Sequence, residues 1–216
     1  MTEGKGFRLA DHDPADTGGV DGKEEGRAEV ARLTARLSEL HERFYADGRH
    51  GLLVVLQGMD TSGKGGAIRK AFEGLDPIGV HVAAFKAPNE AELTHDFLWR
   101  IHSHTPAAGH MSIFDRGHYE DVLIVRVHGL VPKTRWRARY GHIRNFEAML
   151  ADEGTVVRKF FLHISSDEQA RRLQARLDDP TKHWKFRLAD LEERKRWDDY
   201  QDAYEEAIRR TATPEA

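Results

Sequence analysis

Nine residues, 58–66 (GMDTSGKGG), have the composition of a phosphate-binding loop. They follow the apolar run 52–56 and precede a helical pattern, which is the context that such a loop needs. Glycines let backbone N–H groups point into the loop, and the helix N-terminus adds partial positive charge. Lys64 supplies a point charge for the outermost phosphates. The stretch predicts phosphate binding; the alternative is a glycine turn that only joins a strand to a helix.

The loop departs from the usual pattern at a position that matters for metal binding. The pattern Gly-x4-Gly-Lys-Ser/Thr ends in a hydroxyl that binds Mg²⁺, but residue 65 is glycine. Asp60 offers a replacement oxygen ligand. Asp115 ends a short apolar strand, and ligands collect at the carboxyl ends of parallel strands. We therefore expect Asp60 and Asp115 to share one metal site, although Asp115 taken alone is equally typical of a surface residue.

Arg116 follows directly and is placed to neutralise charge on a transferring phosphoryl group. The alternative is a simple salt bridge to Asp115 or Glu120. Residues 122–146 form a basic block with no Asp or Glu, which suits either a polyanion or a solvated helix face. Its cations are Arg126, Lys133, Arg135, Arg137, Arg139 and Arg144.

Residues 171–186 join two helical patterns and are also rich in cations. In kinases with a phosphate loop, the corresponding region is a lid that closes over the phosphates and excludes water. Arg176, Lys182 and Lys185 are its candidate phosphate contacts. The alternative is a charged helix hairpin.

Strands and helices alternate along the chain, which predicts a parallel sheet with right-handed crossovers. Apolar runs predict strands over 51–57, 80–86, 111–115 and 155–164. Apolar spacing and capping pairs predict helices over 23–46, 64–72, from Asn89 with Glu92 to about Ser103, from His118, over 134–150, from Ser166 with Gln169, and from Asp190 with Glu193 to about Arg210. Residues 1–22 are predicted to be a mobile tail. Residues 23–216 then form one domain with a lid over about 176–190.

Composition limits the classes of function. The 216 residues suffice for one α/β domain, and the lack of cysteine excludes disulfides and thiolate metal sites. The 13 histidines, among them His102, His104 and His110, show no metal-binding spacing, so solvated or core histidines are expected. No apolar run approaches membrane-spanning length and no signal peptide is evident, so we expect a cytoplasmic protein with no membrane partner. The net charge of −3 argues against nonspecific coating of nucleic acid by the overall field, though not against local basic patches, and no nucleic-acid partner is expected.

Together, these motifs resemble those of the family-2 polyphosphate kinases over nearly all of residues 35–211. They are residues 56–66 (LQGMDTSGKGG), 85–88 (FKAP), 97–100 (FLWR), 114–123 (FDRGHYEDVL), 179–185 (DPTKHWK) and 197–200 (WDDY). The resemblance implies a P-loop kinase-like three-layer sandwich with a central parallel sheet and a helical lid. It implies phosphoryl transfer between inorganic polyphosphate and nucleoside mono- or diphosphates with Mg²⁺, or with Mn²⁺ in its place. A homodimer or homotetramer is expected.

The motifs and the resemblance together give a set of candidate site residues. The catalytic candidates are Asp60, Lys64, Asp115, Arg116 and Arg176, with Asp60 and Asp115 as metal ligands. The polyphosphate-binding candidates are Gly63, Lys64, Gly65, Gly66, Arg69, Lys70 and Lys86. The nucleotide-binding candidates are Arg116, Glu120, Asp121, Arg126 and Lys182.

The run 118–123 looks like that of the subgroup using both AMP and ADP, with GDP as a further acceptor, and Glu120 and Asp121 are its candidates for acceptor selection. Gly117 departs from the serine usual in the family. The family also continues with a last strand and a terminal helix that this sequence lacks, so a bare sheet edge is expected.

Two other functions remain open on the sequence. One is an ATP-dependent small-molecule kinase of the same fold, which would act on ATP without polyphosphate. The other is an inactive, shortened form that binds polyanions but transfers nothing.

Overall fold

The computed structural model describes residues 4–214 and Ala216. Four parallel strands form one sheet in the order β2-β3-β1-β4: β1 Gly51–Gln57, β2 Val80–Ala84, β3 Met111–Asp115 and β4 Thr155–Phe161. All four predicted strands are confirmed, although β2 and β4 end earlier than expected. In the central strand, Leu56 pairs with Asp115 on one side and with Phe160 on the other. The register therefore brings the end of β3 beside the end of β1, where the glycine-rich loop begins.

The described residues contain nine α-helices. They are α1 Gly22–Asp47, α2 Lys64–Ala71, α3 Glu90–Leu93, α4 Trp99–His102, α5 Ile124–Val127, α6 Lys133–Asp152, α7 Ser166–Asp178, α8 Leu188–Arg194 and α9 Trp197–Thr211. Short 3₁₀ turns cover Leu9–Asp11, Pro77–Gly79, His118–Asp121 and Pro180–Lys185. No helix in this part of the chain is long and apolar enough to cross a bilayer.

Alternate side chains of β1 enter two separate apolar clusters, because successive residues of a strand face opposite sides of a sheet. Leu53 and Val55 pack into the larger cluster, with residues of α6 and α9. Val54 and Leu56 pack into the smaller one, where partly buried residues of α2 complete it. Full burial of such a side chain contributes about 1.5–3 kcal/mol. Helices thus cover both faces of the sheet, which confirms the predicted three-layer sandwich.

The helix predicted from Asn89 to about Ser103 is interrupted and is found as the two short helices α3 and α4. The capping box of Asn89 with Glu92 is present, but α3 ends at Leu93. The chain then turns where the side chain of Asp96 accepts a hydrogen bond from the Leu98 amide at 2.9 Å. A short polar side chain that bonds the backbone in this way competes with helix continuation.

The predicted start of the last helix is wrong. Asp190 lies in the first turn of the separate helix α8, and α9 begins only at Trp197. Between them the amides of Lys195 and Arg196 bond to carbonyls three residues back, at 3.2 and 3.0 Å. Hydrogen bonds to the third residue back form a 3₁₀ turn, which is tighter than the α-helix, and this turn ends α8.

The predicted cap of α7 is displaced by one residue. Ser165 accepts from the Glu168 amide at 3.1 Å, in place of the expected pair of Ser166 with Gln169. The Gln169 side chain is therefore free for another contact.

Part of the N-terminal segment packs against α9. The mobility of residues 1–22 stays a prediction, and residues 1–3 lie outside the described part. Leu9, however, is only 6% exposed, and its amide donates to Glu205 of α9 at 2.9 Å. Leu9 is one apolar residue without periodic neighbours, so the sequence pattern gave no sign of this packing.

Candidate active site

The phosphate loop, residues 58–63, connects β1 to α2. Gly58 lies where no side chain fits, because a Cβ there would be 2.6 Å from the hydroxyl oxygen of Ser62. At Gly65 and Gly66, in the first turn of α2, an added Cβ would meet no atom within 4 Å. The first amides of a helix have no intrahelical partner. Open space beside unpaired donors at a helix N-terminus suits an anion.

Lys64 is buried at the start of α2. Its Nζ donates to the carbonyl oxygens of Gly58 at 2.7 Å and Met59 at 3.1 Å. Burial lowers the pKa of the Lys64 ammonium, the positive charge of Arg116 lowers it further, and the carboxylate of Asp60 opposes both. Its hydrogen bonds go to neutral carbonyls, so among the described residues the Lys64 ammonium makes no direct ion pair, which suits the binding of an anion.

Three more charged side chains gather at the same edge of the sheet. Asp115 ends β3, and its Oδ1 is buried without a hydrogen-bond partner among the described residues. Arg116 donates to Asp60 Oδ1 at 2.7 Å, and its other terminal nitrogen lies 3.5 Å from Glu120 Oε2. Burial lowers the pKa of Arg116, but Glu120 and Asp60 outweigh it and raise the pKa overall, so the guanidinium stays charged. The structure thus brings Asp60, Lys64, Asp115 and Arg116 together.

These acids bear on the expected metal site. In residues 4–214 and 216, no group of three or more His, Asp or Glu side chains is arranged to hold a metal. Mg²⁺ needs no such cage, because it is usually held by one or two carboxylates together with substrate phosphates and water. The orphaned Asp115 Oδ1 fits this chemistry, whereas Asp60 already shares an oxygen with Arg116. The donor set fits Mg²⁺ when phosphate oxygens complete it.

The acids at 120 and 121 lie in a 3₁₀ turn just beyond Arg116 and have different partners. Asp121 Oδ1 accepts a hydrogen bond from Arg139 at 2.9 Å. Burial raises the pKa of Asp121, with Arg139 opposing, and burial likewise raises the pKa of Glu120, with Arg116 opposing. Asp121 is therefore paired with α6, while the one ion pair of Glu120 among the described side chains is the 3.5 Å contact with Arg116.

The cations of the predicted lid bond to residues of the same segment. Arg176 donates to the carbonyl oxygen of Lys185 at 3.1 Å and lies 3.5 Å from Asp190 Oδ2. Lys182 pairs with Asp179 at 2.7 Å. In the part of the chain that the structure describes, Arg176, Lys182 and Lys185 make no hydrogen bond or ion pair with the phosphate loop.

The predicted polyphosphate contacts divide into two groups. Gly63, Lys64, Gly65 and Gly66 lie at the loop and helix start, whereas Arg69 and Lys70 are exposed in the last turn of α2. Lys70 pairs there with Glu73 at 2.8 Å.

Of the two remaining binding candidates, Lys86 lies at the edge of the site, whereas Arg126 packs between helices. Lys86 follows β2 at the site edge, since the amide of the preceding Phe85 donates to the Asp115 carbonyl at 3.2 Å. Arg126 instead bonds to Glu206 of α9 at 2.8 Å and lies over the Trp136 ring at 5.1 Å. Its observed contacts are those of helix packing.

Two side chains of α7 that sequence reasoning did not select contact the phosphate loop. Gln169 donates to the Asp60 carbonyl oxygen at 2.9 Å. Arg172 donates to the carbonyl oxygens of Thr61 at 3.0 Å and Ser62 at 2.8 Å. The only sequence signal was the density of cations near Arg172, and density alone does not say which cation faces the loop.

Comparisons with known proteins agree with this geometry. The family model described as Polyphosphate kinase 2 matches residues 21–216. The chain belongs to the polyphosphate kinase 2 family. It is 56% identical over 208 residues to the AMP/ADP-polyphosphate phosphotransferase of Meiothermus ruber, covering 96% of this chain and 78% of that protein. It is 42% identical over 232 residues to the ADP-polyphosphate phosphotransferase of Rhodopseudomonas palustris, covering 98% and 80% respectively.

A solved structure supports the same assignment. The crystal structure of polyphosphate kinase 2 from Arthrobacter aurescens is 50% identical, with a TM-score of 0.94, and the match covers 98% of this chain and 76% of that one. The predicted P-loop kinase-like fold and the resemblance to this family are both confirmed. The roles of individual residues in the polyphosphate kinase 2 site stay predictions.

Proposed function

We propose that this protein transfers phosphoryl groups between inorganic polyphosphate and nucleoside mono- and diphosphates, with AMP and ADP as its main acceptors. Membership in the polyphosphate kinase 2 family makes it a phosphotransferase. The acceptor choice is supported by the relative at 56% identity, which is named for both AMP and ADP. The carrying observation is the convergence of Lys64, Arg116 and the unpaired Asp115 at one edge of the sheet.

In this proposal, the end of the polyphosphate chain lies in the phosphate loop. The free amides at the start of α2 and the Lys64 ammonium hold its oxygens. Arg116 neutralises charge that develops on the transferred group, and it turns toward the phosphate from its present contact with Asp60. Positioning and charge neutralisation dominate catalysis of phosphoryl transfer. A nucleotide phosphate is already anionic near neutral pH, so no strong general base is required.

Asp60 and Asp115 would hold Mg²⁺, or Mn²⁺ in its place. When bound, the ion neutralises charge on the donor and acceptor phosphates. The chain's own part is to present the Asp115 Oδ1 oxygen, for which the fold offers no other partner in the described residues.

Glu120 is placed to influence the acceptor, because it lies beside Arg116 and has no closer ion pair among the described side chains. The segment over residues 176–190, with Arg176 and Lys182, acts as the lid. Its cations are held by Asp190 and Asp179, so closure on phosphates exchanges one set of negative partners for another.

The test is to incubate AMP, ADP and GDP separately with long-chain polyphosphate and Mg²⁺ and then to separate the nucleotides. We expect AMP and ADP each to gain a phosphoryl group. A reaction that requires ATP and ignores polyphosphate would favour the ATP-dependent small-molecule kinase, which the named relatives do not favour. Polyphosphate binding without transfer would favour the inactive polyanion-binding form.

We also propose assembly as a homodimer or homotetramer. Helix α1 supports this, because Val30, Leu33 and Leu40 on its apolar side remain 43–50% exposed. Light scattering coupled to size-exclusion chromatography measures the assembly. A monomer at micromolar concentration would contradict it.

A further inference from the structure

Gln169 is a buried polar residue for which the proposed reaction has no role. Its side chain is 2% exposed, and both ends of its amide are used. The Nε2 donates to the carbonyl oxygen of Asp60 at 2.9 Å, and the Oε1 accepts from Arg194 of α8 at 3.0 Å. Arg194 also donates to the Ser166 carbonyl at 2.7 Å. One side chain thus links the phosphate loop to α8, the helix in which the predicted lid over about 176–190 ends.

One turn further along α7, Arg172 holds the next two carbonyls of the loop, those of Thr61 and Ser62. Three consecutive loop carbonyls are therefore held by α7. Thr61 has φ +64°, a conformation that non-glycine residues adopt only when the surroundings hold them in it. The hydrogen bonds from Gln169 and Arg172 lie on either side of this residue and supply such a hold.

Holding a carbonyl also fixes the direction of the next amide. In a planar trans peptide, the C=O and the following N–H point in opposite directions. Because Gln169 holds the Asp60 carbonyl toward α7, the Thr61 N–H points away from α7. That N–H, like the N–H of Gly63, has no hydrogen-bond partner within residues 4–214 and 216. It is available to an anion in the loop.

We propose that Gln169 is a positioning residue: it directs the Thr61 amide of the phosphate loop toward the donor phosphate and couples that amide to the lid through Arg194. The inference rests on the proposed function only in taking the donor to be a phosphate chain.

The experiment compares Gln169→Met, Gln169→Glu and the matched control Gln174→Met. Gln174 lies exposed on the same helix, and its side chain donates to Asp178 at 2.7 Å, its one side-chain hydrogen bond in the described part of the chain. Isothermal titration calorimetry measures inorganic triphosphate binding without nucleotide or Mg²⁺, and kinetics give KM for polyphosphate and for ADP. Both Gln169 variants should weaken triphosphate binding and raise the polyphosphate KM about tenfold, the loss expected for one hydrogen bond that supports a charged ligand. The KM for ADP and all constants of Gln174→Met should be unchanged.

Gln169→Glu separates positioning from packing. Its carboxylate still accepts from Arg194 and keeps the shape of the side chain, but it faces the Asp60 carbonyl with an oxygen in place of a donor. Triphosphate binding should weaken, and the melting temperature should fall because two buried acceptors face each other. Wild-type binding by Gln169→Glu would overturn the inference, as would a parallel rise in KM for both substrates.

The link to the lid has its own measurement. Arg194→Met should weaken triphosphate binding about threefold and should add nothing when combined with Gln169→Met. Additive effects would overturn the coupling. A wild-type protein that binds triphosphate but transfers nothing would contradict the proposed function and leave the inference standing, whereas a wild-type protein that does not bind triphosphate would overturn both.

Discussion

Residues on both sides of Gly117 contribute to two clusters, which the fold treats differently. In the Glu147 cluster, formed with His118, Tyr119 and Lys159, Glu147 of α6 is 1% exposed and has a partner for each oxygen. Its Oε1 lies 3.0 Å from His118 Nε2 and accepts from the Tyr119 hydroxyl at 2.9 Å, while its Oε2 accepts from Lys159 at 2.7 Å. Burial raises the pKa of Glu147, but the hydrogen bond from His118 and the charge of Lys159 outweigh it, so the pKa lies below its usual value.

At the candidate site, by contrast, Asp60 is paired with Arg116, but two other acids lack a close partner among the described residues. Asp115 Oδ1 has none in the described residues, and Glu120 has Arg116 only at 3.5 Å. Burial raises the pKa of Glu120, and here Arg116 does not compensate. The Glu147 cluster is completed by the fold itself, whereas the site keeps unused capacity for charge. In our proposal, a ligand that brings phosphates and a cation completes it. The difference is the one expected between groups kept for stability and groups kept for chemistry.

The largest expected effect is the loss of turnover on changing Asp115. Asp115→Asn removes a negative charge but no hydrogen bond that the fold uses. Turnover with polyphosphate and ADP should fall about 10³-fold, comparable to loss of a key electrostatic group in other active sites. The free energy of unfolding, from urea titration, should not fall. Lys64→Met, tested beside it, should lose turnover similarly. Wild-type turnover in either variant would contradict the assignment of the site.

Changing Glu147 should reverse this pattern. Glu147→Gln leaves Lys159 without its buried counter-charge, so the free energy of unfolding should fall by about 3 kcal/mol. The folded-state pKa of Glu147 is lowered, so its ion pair stabilises the protein above the usual pKa and is lost as the pH falls. The gap between variant and wild type should therefore be widest near neutral pH and narrow in acid. A variant as stable as the wild type at neutral pH would remove the distinction between the clusters.

Gly117 lies in the turn that connects the two clusters. A substitution there tests whether the backbone of this turn is strained. Its φ is +110°, and an added Cβ would lie 3.2 Å from Phe114 Cδ2. Gly117→Ala should lower the free energy of unfolding by about 2 kcal/mol, since such backbone strain costs about 1–3 kcal/mol per residue. Calorimetric melting measures it, with Gly141→Ala in the middle of α6 as the control, because a Cβ there meets no atom within 4 Å. Equal melting temperatures for Gly117→Ala and the wild type would show that the turn bears no strain.

The smallest expected effect has the opposite sign. Because the folded-state pKa of Glu120 is raised, ionising this carboxyl costs stability as the pH rises through that pKa. Glu120→Gln removes the cost, so the variant should be more stable than the wild type near pH 7 by about 1 kcal/mol, and the gain should shrink toward about pH 4.5. Urea titrations at both pH values measure it. The ratio of AMP to ADP turnover should change in the same variant; if stability falls instead, Glu120 belongs with Glu147.

The parts of the fold that depend on local pattern were predictable. Asp60 and Lys64 lie in and just after the glycine-rich loop that follows the apolar strand β1, and Asp115 ends the apolar strand β3. This pattern is enough to place all three at one edge of the sheet. The parts that depend on distant contacts were not predictable. Gln169 fits a capping pattern equally well, and only its packing against the loop, 109 residues away in sequence, shows its other contact.

Ion pairing was equally unpredictable at the level of single residues. Arg116 selects Asp60 over Glu120, and Arg126 selects Glu206, 80 residues away. Spacing along the chain carries no information about such choices. The predicted start of the last helix failed for the opposite reason, because a plausible capping pair at 190 and 193 hid a break at Lys195 and Arg196.

The outer strand β4 has a practical consequence at the bench. Within residues 4–214 and 216 its one hydrogen-bonded neighbour strand is β1, and Phe160 and Val156 on it are 53% and 37% exposed. The unpaired backbone N–H and C=O groups of such an edge strand can form hydrogen bonds with a strand of another molecule. We therefore expect concentrated solutions of the protein to aggregate on storage. Phe160→Lys should slow this aggregation without changing the phosphate loop.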